Sequence, residues 1–165
     1  MPDKPDETKW KFATLDGVEW TFRITYGSVK SVLDQTGFKL TDLFFDQKAS
    51  EEVTGDGFRM LEIIYAALKP QADEKGISID RFLAAVDGDV LERASLALLE
   101  ALTDFFPHPR RTIVRRALDR YHREKERLTS GVIHAIEKEI DAMSLEQPPP
   151  LTHTSSATSS PASAA

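Results

Sequence analysis

The chain has 165 residues, of which 41% are hydrophobic and 29% charged, with a formal net charge of -6 and no cysteine. That length carries one hydrophobic core plus accessory segments, and the composition belongs to a folded chain, while the acidic balance opposes nonspecific wrapping by DNA. Disulfides, thiolate nucleophiles and Cys-ligated zinc are excluded, and no run approaches the roughly 20 apolar residues that cross a bilayer, so the expectation is an untargeted, soluble, cytoplasmic protein.

Residues 1–8 are rich in Pro, Asp and Lys and read as a flexible N-terminus. Trp10, Phe12 and Leu15 then alternate loosely with polar residues, and Val18, Trp20, Phe22 and Ile24 alternate strictly with Glu19, Thr21, Arg23 and Thr25. Period two puts the second set on one face. Asp16-Gly17 between the runs predicts a tight hairpin turn, since both residues tolerate positive φ. Two strands alone are marginal, so the apolar face needs a cover.

After Tyr26-Gly27 the period becomes helical. Val29, Val32 and Leu33 before Gly37 predict a short helix closed by a left-handed glycine, and Leu43, Phe44 and Phe45 after Thr41-Asp42 predict another helical turn. The polar stretch DQKASEEVTGDG, residues 46–57, reads as a mobile surface loop. Phe58, Leu61, Ile64, Tyr65 and Leu68 predict a helix stopping before Pro70, and residues 70–77 read as a linker.

Ser78 is placed to cap a helix carrying Ile79, Phe82, Leu83 and Val86, with Asp80 favourable at its positive end. Val90–Phe106 forms the central helix, its apolar surface too wide for a partner on one side only. Pro107 and Pro109 end it. From Arg110 a charged amphipathic helix runs through Ile113, Val114, Ala117, Leu118, Tyr121 and Leu128 to Val132, Ile136, Ile140 and Met143, with a kink or break expected at Thr129-Ser130-Gly131. Residues 147–165 hold 8 Ser/Thr, 4 Pro and no Asp, Glu, Lys or Arg, which is the composition of a disordered tail. The resulting fold class is α+β, mainly α: an N-terminal β-hairpin packed on a helical core over 9–109, a long C-terminal helix over 110–146, and the tail.

The inventory for chemistry is thin. His122 and His134 lie twelve residues apart, about 18 Å along a straight helix, so they cannot share a metal, and His108 and His153 lie in a proline turn and in the tail. The carboxylate pairs Glu51/Glu52, Asp73/Glu74, Asp87/Asp89 and Glu137/Asp141 fall in loops or on polar faces, not in a concave site. Asp87-Gly88-Asp89 lacks the further ligands of a calcium loop. Gly55-Asp56-Gly57 has no following Gly-Lys-Ser/Thr, and there is no GxGxxG or GxSxG motif. No enzyme activity, cofactor or metal is expected.

Charge is unevenly placed: 109–128 carries 8 basic and 3 acidic residues, whereas 1–108 carries 12 and 20. Arg110, Arg111, Arg115, Arg116, Arg120 and Arg123 form a basic surface beside the apolar face of the last helix. It reads as a solvated flank, as a contact for an acidic protein, or as a nucleic-acid-binding regulatory module over 110–127, in that order.

The segments VEWTFRITYGSVKSVLDQTGFKLTDLFF, FRMLEIIYAAL, GISIDRFLAAV and ALLEALTDFFP, with Thr36-Gly37 closing one helix and Tyr65-Ala66-Ala67-Leu68 inside another, resemble the tail assembly chaperones of long-tailed bacteriophages and prophages over residues 17–109. The resemblance implies a non-catalytic protein that binds hydrophobic helices of the tape-measure protein and keeps them soluble. It further implies recruitment of tail tube protein and absence from the mature virion. Such proteins often occur in a short and a frameshift-extended form. On that likeness the partner-binding surface comprises Phe22, Tyr26, Val29, Leu33, Phe44, Phe45, Tyr65 and Leu68, and self-association as a homo-oligomer is compatible with it. After Pro109 the long basic helix departs from the compact family layout.

Overall fold

The structure, a computed structural model, describes residues 10–144; the flexible segment expected at 1–8 and the tail expected at 147–165 lie outside the described residues. A two-stranded antiparallel sheet, β1 (Lys11–Ala13) and β2 (Glu19–Thr21), precedes seven helices. The register pairs Phe12 with Trp20, so both rings leave one face of the sheet and both are buried. Phe22 follows them into the core and stacks on Phe12 with centroids 5.6 Å apart.

The connection is longer than the tight turn expected. Only Gly17 has a positive φ, 78°, its N–H reaching the Thr14 carbonyl at 2.9 Å while Thr14 N bonds Val18 O at 3.0 Å. Thr14, itself buried, accepts from Trp20 Nε1 at 3.3 Å and donates to Asp16 Oδ1 at 2.6 Å. The Thr14 hydroxyl is the main reason the Asp16 carboxyl sits below its ordinary range. An indole N–H taken out of water needs such a partner.

Helix α1 (Tyr26–Thr36) starts in a capping box: Thr25 Oγ1 accepts from Ser28 N at 3.2 Å and Ser28 Oγ accepts from Thr25 N at 3.2 Å. Gly37, at φ 69°, closes it as the sequence predicts. A single helical turn, α2 (Asp42–Phe45), follows. Residues 46–57 are not a loop. Asp46 caps α3 (Gln47–Gly55) by accepting from Ala49 N at 3.0 Å, and Asp56 caps the next helix through Phe58 N and Arg59 N. Only Val53 of α3 is fully buried, so the helix has too few apolar positions to show a period.

The linker expected at 70–77 is also helical for most of its length: α4 spans Gly57–Lys75 with Pro70 inside it. Pro70 is exposed, so its ring meets no neighbour across the core. Directly after it, the Gln71 side chain bonds both backbone groups of Thr21, accepting from its N–H at 3.2 Å and donating to its carbonyl. Nine buried side chains, Met60 to Ala72, hold the helix through the defect. It ends at Gly76 (φ 62°), with Ile77 N bonded to Ala72 O at 2.9 Å and Gly76 N to Asp73 O at 3.2 Å, the two bonds that satisfy a helix's last carbonyls.

Helix α4 packs against β2, α1, α3, α5 (Ile79–Ala84) and α6 (Gly88–Phe105). Ser78 caps α5 and Asp87 caps α6, accepting from Arg81 N at 3.3 Å and Val90 N at 2.8 Å. Asp87 thus serves as the N-cap of α6. Helix α7 runs from Arg110 to Ser144 without a break at Thr129-Ser130-Gly131. The chain divides into compact units after Tyr121, not at 109, because Val114 and Leu118 are buried and bring the first turns of α7 into the core unit.

Two substitutions test these assignments by urea unfolding. Pro70→Ala restores an exposed helical N–H and raises stability by about 1–3 kcal/mol. Thr14→Val keeps the shape but removes the acceptor of the Trp20 indole, and lowers stability by about 1–3 kcal/mol; an unchanged midpoint would show that the bond contributes nothing.

Candidate functional site: an apolar groove with aromatic walls

Within the core unit, α2 and α3 on one side and α6 and the start of α7 on the other leave a partly open groove of about 510 Å³. Leu43, Phe44 and Phe45 form one wall, and Leu99, Ala117, Leu118 and Tyr121 the other, while Gln47, Ser50, Glu51 and Thr54 of α3 supply a polar rim. The volume lies inside the ~300–1,000 Å³ range of ligand sites. Its polar rim comes from α3, where Gln47 Nε2 donates to Glu51 Oε1 at 2.8 Å, and the two facing walls offer apolar and aromatic contact. Among the described residues no three His, Asp or Glu side chains gather as a metal site would require.

Aromatic rings connect the groove to the N-terminus of α1. Tyr26 rests edge-on against Phe105 at 5.0 Å, Phe105 against Phe106 at 5.6 Å, and Phe106 against Phe45 at 5.4 Å and Phe44 at 6.3 Å. Phe106 is buried and anchors the series, whereas Phe45 is 55% exposed and Tyr26 82%. Neighbouring Phe105 and Phe106 thus serve different environments, one half-buried and one in the core. Exposed aromatic rings held by a buried one form a firm surface that costs little conformational entropy to bind.

The wall contributed by α7 is fastened by arginine. Arg115 donates to Glu100, and to Asp104 Oδ1 at 3.0 Å, while Arg111 donates to the carbonyls of Phe106 and Asp104, both at 2.8 Å. Asp104 also accepts from Trp10 Nε1 at 3.2 Å, so one carboxylate ties α7, α6 and the start of the hairpin. Burial opposes the Arg115 charge, but the hydrogen bond and charge of Glu100, with the charge of Asp104, outweigh it and push the guanidinium further above its ordinary range.

The expected site residues therefore separate. Phe22 and Leu68 are fully buried and Tyr65 nearly so, its hydroxyl donating to Ile77 O at 2.9 Å; these three belong to the core and cannot meet a partner, because period alone does not say which apolar face is covered. Tyr26, Leu33 and Phe45 are exposed, and Val29 and Phe44 half-buried. Phe44 and Phe45 lie in the groove, Tyr26 on its aromatic extension. Of the basic surface, Arg110, Arg116, Arg120 and Arg123 are exposed, while Arg111 and Arg115 turn inward as clamps. Leu99, Ala117 and Tyr121 complete the groove without having been singled out as binding residues; the one hint was the unusually wide apolar surface of α6. Comparison with protein-family models, with curated proteins and with solved structures gives no match to this chain.

Arg115→Met removes the clamp and leaves Glu100 and Asp104 without their cation. Since the groups are part-exposed, the expected loss is about 1–2 kcal/mol, readable in chemical denaturation. Glu100→Gln in the Arg115→Met background should cost less than in the parent chain; full additivity would contradict the coupling.

Proposed function

We propose that this chain is a non-catalytic binding protein that takes an apolar-faced helix of another polypeptide into the aromatic-walled groove. The groove itself carries this reading: two apolar walls, an exposed ring at the mouth, and polar residues confined to one rim match a helix that is apolar on one side and polar on the other. The docked side chains would supply most of the affinity, and Gln47 and Glu51 on the rim would favour one orientation.

On the sequence resemblance, the client in this reading is the tape-measure protein of a long-tailed phage or prophage, held soluble in the bacterial cytoplasm while tail tube protein assembles. The chaperone would then leave before the virion is complete. The alternative, a nucleic-acid-binding module on 110–127, has less support, because Arg111 and Arg115 already spend their donors inside the fold. Among the described residues no helix is long and apolar enough to cross a membrane.

The test is coexpression with the tape-measure protein of a long-tailed phage, reading soluble yield and co-purification. Phe45→Glu and Ala117→Glu place charge on exposed groove positions, and each is expected to cut co-purification at least tenfold while the circular dichroism and melting temperature stay those of the parent. Capture undiminished in both variants would overturn the assignment of the groove.

A further inference from the structure

Past Tyr121, α7 forms its own unit, and the stretch 122–144 is about 34 Å long at the usual helical rise. Leu128, Val132, Ile133, Ile136, Ile140 and Met143 are each 50–63% exposed. At 100° per residue they fall within a sector of about 140°, the width of a face that normally packs on something. A helix that buries no such face has little beyond propensity to hold it, and Thr129-Ser130-Gly131 in the middle lowers that propensity further.

The charges around the stripe indicate what covers it. Turning a second copy of the helix end for end about Val132 sets Arg123 against Asp141, Lys125 against Glu139, Glu126 against Lys138 and Arg127 against Glu137. Every pair is of opposite sign, and Glu124 alone, facing Ile140, has no counterpart. The same operation sets Leu128 against Ile136 and Val132 against its own copy. Parallel, in-register pairing would instead set each charge against its like. Lys125 and Glu139 lie on the stripe itself, so theirs is the pair brought to the seam; the other three lie outside it and act at longer range.

We propose that residues 122–144 are a self-association element, forming an antiparallel two-helix pair with a second copy of this chain, with its twofold axis at Val132. The interface is self-complementary, the arrangement a closed dimer requires, and the charges set orientation as they do in coiled coils.

The experiment is sedimentation velocity of the full chain at tens of micromolar, expected to show a dimer. Lys125→Glu and Glu139→Lys, each placing like charges at the seam, should weaken dimerisation roughly tenfold. The double variant should restore it, and an equimolar mixture of the two single variants should form a heterodimer. The chain has no cysteine, so Val132→Cys gives a clean cross-linking site: oxidation should link it into a covalent dimer. Leu128→Cys should link poorly, because its two copies would lie about 12 Å apart along the axis, beyond the ~7 Å Cα limit of a disulfide. Circular dichroism confirms that each variant keeps its helix. A monomer at these concentrations, a double variant no better than the singles, or equal cross-linking at 128 and 132 would each overturn the proposal.

Discussion

The fold depends on covering α4. Its buried residues, Met60, Leu61, Ile63, Ile64, Tyr65, Ala66, Ala67, Leu68 and Ala72, point in nearly every direction around the helix axis, so no single partner can take them out of water. Five elements share the task. Apart from α6, each is too short to stand alone: β2 has three residues, α5 six, α3 nine and α1 eleven. Burying apolar surface is the main favourable term available to them, and α4 is where they find it. The same dependence explains why Pro70 is tolerated, since one missing ladder bond is small beside the packing on either side of it.

Polar contacts then fix the arrangement that burial alone leaves loose. Gln71 holds β2 through Thr21, Arg59 donates to the Thr36 carbonyl at 2.6 Å, and Leu15 N bonds Ala85 O at 2.9 Å, so the hairpin, α1 and α5 are each tied at one specified position. Asp104 gathers Trp10 and Arg115, with Arg111 on the backbone beside it. The groove is what this bracing leaves behind. Helices α2–α3 and α6–α7 are each fastened elsewhere and do not close on one another, and Phe106 keeps the intervening rings in place. A firm apolar recess on a braced framework suits reversible capture better than a flexible one, because less order has to be imposed on binding.

The two parts of α7 show how one period can serve two purposes. Up to Tyr121 the core unit covers Val114 and Leu118, and Arg111 and Arg115 find carboxylates and carbonyls. Beyond it the apolar positions continue but stay exposed, and the charges, Glu124 apart, follow a pattern that reads the same, with sign reversed, from either end. Neighbouring segments of one helix thus serve the fold and the interaction surface.

The sequence by itself determined most of the secondary structure: the alternation that puts Trp20 and Phe22 on one face, the stop at Gly37, the Ser78 cap, the breadth of α6 and the long amphipathic run after Arg110 all follow from local sterics, capping and period. It misread 46–57 and 70–75, because a helix that buries one residue has no visible period and because an exposed proline can be outweighed by packing elsewhere. Only the tertiary structure decided which apolar faces were consumed. Phe22, Tyr65 and Leu68 carry the same kind of signal as Phe45 and Tyr26, and what separates core from surface among them is the set of elements converging on α4. Likewise Arg115 resembles Arg116 in sequence; the carboxylates of α6, fifteen and eleven positions earlier in the chain, make one a brace and leave the other on the surface.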